Sequence, residues 1–244
     1  MKLRSSPAAM VIVDGTDIHH DLIGAALALQ EIVVEAGIPA ARAVGMDRFD
    51  DPMPATAEAD VYVVYRSGIT FDPRQQKALS DLVAGGKGLV ALHASNLFGF
   101  GDGGMEADRE AFALVGSRYV SHGDEGSEGR FEVKVREGHP VTRHLGDFAI
   151  DDEFYVLEYA PGVEVLAERP AGTGTEPVAY VRDHGAGRVC YIALGHDSRA
   201  WGNPWFRQLV RQATLWAAGV PDEEIASWST RWPLGNGRKI GDGA

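Results

Sequence analysis

The histidines offer this chain its most versatile chemistry. Eight occur in 244 residues, and His19, His93, His122, His139 and His196 end apolar runs or open polar loops. Imidazole exchanges a proton near neutral pH and is the commonest side chain to bind a transition metal. His93 closes the run Gly88-Leu89-Val90-Ala91-Leu92 and precedes the small, polar Ala94-Ser95-Asn96. His196 follows the run Arg188 to Leu194 through Gly195 and precedes Asp197. In open α/β sheets, ligands sit beyond the carboxyl ends of strands. His93 and His196 are thereby expected to face one cleft, with Asp152, Glu153 and Asp197 as the carboxylates able to join them. Such a set suits a divalent metal such as zinc. It also suits general acid–base work without a metal. No His-x-x-x-His spacing is present, so the sequence leaves both open. Gly99, Gly101, Gly103 and Gly104 are not followed by Gly-Lys-Ser/Thr, so no nucleotide cofactor is expected.

The candidate catalytic set is therefore His93, Glu153 and His196, with His93 and His196 doubling as metal ligands. Candidate substrate contacts are His19, Asn96, His122, Asp152, Tyr155, Asp197 and Trp201. His19 follows the first strand onto the same edge. The Tyr155 ring reads as core with its hydroxyl at the cleft. Trp201 and Trp205 read either as a sugar-binding surface or as packing. His139-Pro140 reads as a turn cap and His184 as solvated in a hairpin loop. His20 and His144 have no assigned role. Cys190, in mid-strand, reads as a small buried apolar residue rather than a nucleophile.

The elements that must position these residues alternate. Met10–Val13 reads as a strand, and Leu22 to Ala36 as a helix whose apolar positions include Ile23, Ala26, Leu27, Ile32 and Val33, with Gly37 as its stop. Ala41–Val44 is a weak strand and Val61–Tyr65 a strong one. Asp72-Pro73 caps a helix that runs to about Ala84, and strand 88–93 follows. This β-α-β-α-β order implies a parallel sheet with right-handed crossovers. After Asn96 the pattern changes. Glu106–Val115 reads as a helix. Arg130–Val135 alternates as a half-buried strand does, and Val163–Ala167 reads as another. Pro177–Val181 and Arg188–Leu194 read as a β-hairpin. Asn203-Pro204 caps a last helix that stops at Gly219. Residues 1–220 form one domain in this reading, and 221–244 a tail laid on the body or on a neighbouring subunit.

Composition narrows the class. The chain is 45% hydrophobic and 24% charged, an ordinary globular balance, with a formal net charge of −12. That acidity, without a run of Lys or Arg, argues against a nucleic-acid partner. A single cysteine excludes an internal disulfide and fits a reducing compartment. Ala8–Val13 is too short for a signal-peptide core, and nothing approaches the roughly 18 apolar residues of a membrane helix. A cytoplasmic location and no membrane partner are expected.

With these pieces in order, the chain resembles the ThuA-like (trehalose-utilisation) family. The resemblance is carried by residues 85–94, by Phe112-Ala113-Leu114-Val115-Gly116 with His122, and by Gly138-His139-Pro140-Val141-Thr142 and Asp152-Glu153-Phe154-Tyr155. Residues 185–191, Leu194-Gly195-His196-Asp197 and the helix end Leu215-Trp216-Ala217-Ala218-Gly219 complete it. It implies a three-layer flavodoxin-like sandwich, similar to class I glutamine amidotransferases, with a mostly parallel central sheet and antiparallel strands added in the C-terminal half. In that comparison His93 stands roughly where an amidotransferase keeps its cysteine nucleophile, and His196 where it keeps its histidine. Ser198, not Glu, lies two residues after His196. Without a thiolate no thioester forms, so glutaminase activity is not expected.

The resemblance further implies a role in carbohydrate metabolism, with a small-molecule sugar or keto-sugar as partner. Three readings follow. One is an enzyme performing a lyase, isomerase or hydrolase step, and the second a non-catalytic sugar-binding or regulatory protein. The third is structural: the histidines are core and turn residues, and function lies at a homo-oligomer surface that uses the tail.

Overall fold

A computed structural model describes residues 7–16, 18–68 and 70–229. The first half alternates as the hydrophobic pattern requires: β1 (Ala9–Asp14), α1 (Leu22–Glu35), β2 (Ala40–Val44), α2 (Pro54–Glu58), β3 (Val61–Arg66), α3 (Pro73–Ala84) and β4 (Gly88–Leu92). A 3-10 turn, His93–Asn96, follows β4 directly. Then come α4 (Gly104–Ala107), α5 (Arg109–Val115), β5 (Ser117–Ser121), β6 (Glu128–Val135), β7 (Phe148–Glu153) and β8 (Val156–Tyr159). The chain continues through β9 (Glu164–Ala171), β10 (Gly174–His184), β11 (Gly187–Ile192), α6 (Ser198–Trp201), α7 (Pro204–Ala217) and α8 (Asp222–Ser229).

The helix starts signalled at Asp72-Pro73 and Asn203-Pro204 form as expected, and the structure adds a cap at Asp21. Asp21 accepts a hydrogen bond from Gly24 N at 2.8 Å, Asp72 from Arg74 N at 2.8 Å, and Asn203 from Trp205 N at 2.9 Å. Each satisfies an amide that has no partner inside its own helix.

The main sheet has nine strands in the order β2-β1-β3-β4-β11-β10-β9-β6-β7. The first five are parallel, and every pair from β11 to β7 is antiparallel. The chain is thus mixed α/β, a parallel sheet extended by antiparallel strands. Strands β5 and β8 form a separate antiparallel pair. One core joins the α1 and α7 faces to Val11, Val63, Val90, Cys190 and Ile192. The opposite core joins α3 and α5 to Ile12, Val64, Leu89, Ala91 and Tyr191. Strand residues therefore alternate between two buried faces, which explains their unbroken apolar runs.

Several sequence expectations need correction. Ile23 and Leu27 do not face the core: they are 62% and 51% exposed, while Ala25, Ala26, Leu29, Ile32 and Val33 are buried. Helix α1 is apolar nearly all round, so periodicity alone could not choose its inner face; packing against α7 did. The helix expected over 106–115 is two, split at Asp108. The strand expected to reach residue 93 stops at Leu92. His184 is not in a solvated loop: it ends β10, half-buried, with Nε2 2.9 Å from Ser80 Oγ. His139 does cap the turn Pro140–Thr142, accepting from Val141 N at 3.1 Å. In the expected tail, α8 buries Ile225 in the main core, and residues 230–244 lie outside the described residues. Among the described residues no helix is long and apolar enough to cross a membrane.

Candidate functional site

Strands β1, β3, β4 and β11 present their carboxyl ends on one edge. Beyond β4 the chain turns sharply: His93 has φ 50°, a left-handed conformation that a non-glycine residue adopts at a cost of about 1–3 kcal/mol. Three contacts hold it there. The His93 carbonyl accepts from the Tyr191 hydroxyl at 2.8 Å, its ring Nδ1 donates to the Ala193 carbonyl at 3.0 Å, and its ring stacks on Tyr155 with centroids 4.7 Å apart. A carbonyl only accepts, so Nδ1 carries a proton and the neutral ring points its Nε2 lone pair outward.

Four polar groups converge on that lone pair. His20 Nε2 is 3.1 Å away, Glu153 Oε2 3.2 Å, the Tyr155 hydroxyl 3.2 Å and His196 Nδ1 3.4 Å. Glu153 also lies 3.6 Å from His196 Nδ1. Each side chain comes from a different part of the chain. His20 lies on the loop between β1 and α1, Glu153 ends β7, and His196 follows β11. Four strands of the sheet order separate β7 from β4, yet Asp152 accepts from Gly195 N at 2.6 Å and from His196 N at 3.2 Å. The antiparallel half therefore curls back over the edge and brings the end of β7 to the end of β11.

The charges follow from this arrangement. Burial works to raise the Glu153 carboxyl, but the hydrogen bond and charge of His93 and the charges of His196 and His122 outweigh it and lower it to about 2. Burial works to lower His93, and Glu153 with Asp152 outweighs it, so His93 is raised above an ordinary imidazole. Asp152, buried behind the cluster, is raised by burial against the pull of His93 and three backbone amides. Burial pushes the Tyr155 phenol well up, which keeps it protonated.

The structure thus brings His93, Glu153, His196 and Tyr155 together. His122 stands at the border, its Nδ1 3.2 Å from the Phe154 carbonyl and its ring edge-on to Tyr119 and Tyr155. Other candidates make contacts of their own. Asp152, buried behind the cluster, accepts from the Gly195 amide at 2.6 Å. Asn96 is buried and donates to Ser117 Oγ at 2.9 Å, tying the turn to β5. Trp201 is buried, donates its indole N–H to the Gly195 carbonyl at 2.7 Å, and is a packing residue. Asp197 caps α6 and pairs with Arg199 at 2.7 Å.

His19 is exposed; its neighbour His20 enters the cluster instead. Sequence reasoning missed His20. Adjacent residues in a loop point different ways, and a pair His19-His20 carries no signal of which one turns inward. Tyr65 was missed too. It packs flat against His93 and donates to the His196 carbonyl at 3.1 Å.

The His20, His93, Glu153 and His196 donor atoms all lie within 4.8 Å of one another, so these four could hold a metal ion; among the described residues Glu128, His196 and Asp197 form a second, more exposed group with the same spacing. Without one, the cluster offers imidazoles for proton transfer beside an ionised carboxylate and a protonated phenol.

Comparison with known proteins agrees with this architecture. The family model ThuA, described as trehalose utilisation, matches residues 9–217. No curated protein matches the chain. Among solved structures, a ThuA-like protein from Parabacteroides merdae is similar with a TM-score of 0.71 at 18% identity, covering 87% of this chain and 90% of that one. One from Bacteroides uniformis gives 0.64 at 17% identity, covering 97% of both chains. A β-galactosidase from Bacillus circulans sp. alkalophilus gives 0.62 at 17% identity, covering 89% of this chain but 32% of that one. At such identities the likeness is one of fold.

Proposed function

The chain belongs to the ThuA, trehalose-utilisation, family, and from that premise we propose that it is an enzyme acting on a sugar or keto-sugar at the His93 cluster. The observation that carries this reading is the convergence of three imidazoles, a carboxylate and a phenol on one strand edge. Such a set moves protons at carbon-bound oxygen: one side chain removes a proton while another donates to the oxygen where charge develops. Glu153 is ionised at neutral pH, which suits it to stabilise positive charge on His93 or His196. The Tyr155 phenol stays protonated and so keeps a proton to donate. His196, which follows β11, and Glu153 each keep 14% of the side chain exposed while His93 is fully buried, so these two are the bases a substrate reaches more readily than His93.

The reaction class is a lyase, isomerase or hydrolase step. Helices on both faces of the five-stranded parallel half also support a class I glutamine amidotransferase-like layering, with the imidazole of His93 in the nucleophile's place. Glutamine hydrolysis is not part of the proposal, because that position holds no thiol.

The test is product detection by NMR on trehalose, lactose, glucose and keto derivatives of each, with wild type and His196→Ala. Turnover of at least one sugar, falling more than about 100-fold in the variant, is the expected result. Saturable binding of these sugars without turnover of any of them would replace the enzyme with a sugar-binding protein.

A further inference from the structure

We infer that His20, His93, His196 and Glu153 bind one divalent first-row transition-metal ion. The geometry, not the proposed reaction, carries this. With Nδ1 committed to the Ala193 carbonyl, His93 has one ring nitrogen facing the cluster, and four polar atoms lie 3.1–3.4 Å from it. A single lone pair accepts one hydrogen bond, and a single proton on it serves one acceptor well. Neither accounts for four neighbours at nearly equal distance. A cation between them uses all the lone pairs at once.

The spacing suits such an ion. Zinc–nitrogen and zinc–oxygen bonds of about 2.0–2.2 Å put neighbouring ligand atoms about 3.3–3.6 Å apart in a tetrahedron. The His93–His20, His93–Glu153, His93–His196 and His196–Glu153 separations are 3.1, 3.2, 3.4 and 3.6 Å, the first two slightly below that range, and the His20–Glu153 and His20–His196 pairs lie within 4.8 Å.

The surroundings are those of a built ligand set. A metal-bound imidazole usually donates its other N–H to a carbonyl or carboxylate, which fixes its tautomer; the Ala193 carbonyl does this for His93. Asp152 accepts from the backbone amides of Glu153 at 2.8 Å and His196 at 3.2 Å, so one buried carboxylate fixes the backbone of two ligands. The donor set also selects the ion. Three imidazoles favour zinc, cobalt, nickel or iron over magnesium and calcium, which prefer all-oxygen shells. Cys190, the single thiol, is buried in the core and contributes nothing.

The experiment strips the full chain with a chelator and titrates it by calorimetry with Zn²⁺, Co²⁺ or Mg²⁺. The expected result is one Zn²⁺ or Co²⁺ per chain and no Mg²⁺ binding, with visible Co²⁺ absorption bands typical of nitrogen ligation. His93 is buried in the fold, so the decisive variants are His20→Ala and His20→Gln, on a half-buried loop. Both should weaken Zn²⁺ more than about 100-fold, beyond the 10- to 100-fold of a supporting residue, with an unchanged circular dichroism spectrum. His139→Asn, far from the cluster, should bind as wild type. The inference is overturned if wild type takes up no stoichiometric Zn²⁺ or Co²⁺, or if both His20 variants bind as tightly as wild type. Neither result touches the sugar assay, so this inference and the proposed activity fail separately.

Discussion

Gly88 opens the strand that carries His93, and replacing it with alanine tests how that strand is seated. A Cβ at Gly88 would fall on the backbone carbonyl of Ala217, the last residue of α7, far inside van der Waals contact. No side-chain rotation relieves this, because the obstructing atoms are backbone. The strand is equally fixed, paired on one side with β3 and on the other with β11. Helix α7 must move outward, and it is buried along most of its length. Overpacking of a dense core costs about 1–3 kcal/mol, and a clash with two rigid elements belongs at the upper end. About 3 kcal/mol lowers the melting temperature of a chain this size by about 6–12 °C. The matched control is Gly146→Ala, where a Cβ meets nothing within 4 Å. That change should be neutral or stabilising by up to about 1 kcal/mol through the unfolded chain. Thermal unfolding followed by circular dichroism reads both. Activity below the transition should also fall in Gly88→Ala, since β4 and the segment entering α7 carry His93 and His196. A Gly88→Ala melting temperature within 2 °C of wild type would refute the close approach of β4 and α7.

Three further outcomes follow. Tyr191→Phe removes a buried donor to the His93 carbonyl and should cost about 1 kcal/mol, with a larger proportional loss of turnover, because the left-handed turn loses a restraint; a variant as active as wild type counts against that restraint. Cys190 is buried and its thiol is pushed up by burial, so iodoacetamide at pH 8 should label it only in guanidinium; rapid labelling of the native chain would contradict its place in the core. Burial lowers the pKa of His139, with Arg188 adding to the effect against Glu164 and Asp222. The unfolded chain therefore binds more protons between the lowered value and about 6.5, and stability should rise with pH across that window. His139→Asn keeps a cap but cannot titrate, so urea unfolding at several pH values should show a shallower rise; an unchanged slope would exclude His139 as its source.

Much of the parallel half was legible in the chain itself. Unbroken runs such as Val61–Tyr65 and Gly88–Leu92, with Asp72-Pro73 and Asn203-Pro204 as helix starts, follow from burial on both faces and from local capping. These are short-range effects, and each is written within a few residues. For the same reason His93 and His196 could be placed at strand ends, and Glu153 beside them as a candidate. What local pattern could not decide was which side chains meet. The return of β7 to the end of β11 depends on the curl of four antiparallel strands, which no local spacing encodes. His20 rather than His19 enters the cluster because of the path of one loop over the sheet edge. Asp152 and Trp201 hydrogen-bond to backbone, and Asn96 gives its amide nitrogen to Ser117, contacts that no local spacing announces. The left-handed turn at His93 is likewise tertiary: an L-residue adopts it only where surrounding contacts outweigh its strain. Local pattern is enough to write the strands and the chemistry at their ends; which of those groups converge on one nitrogen is set by long-range packing, which no short stretch of chain contains.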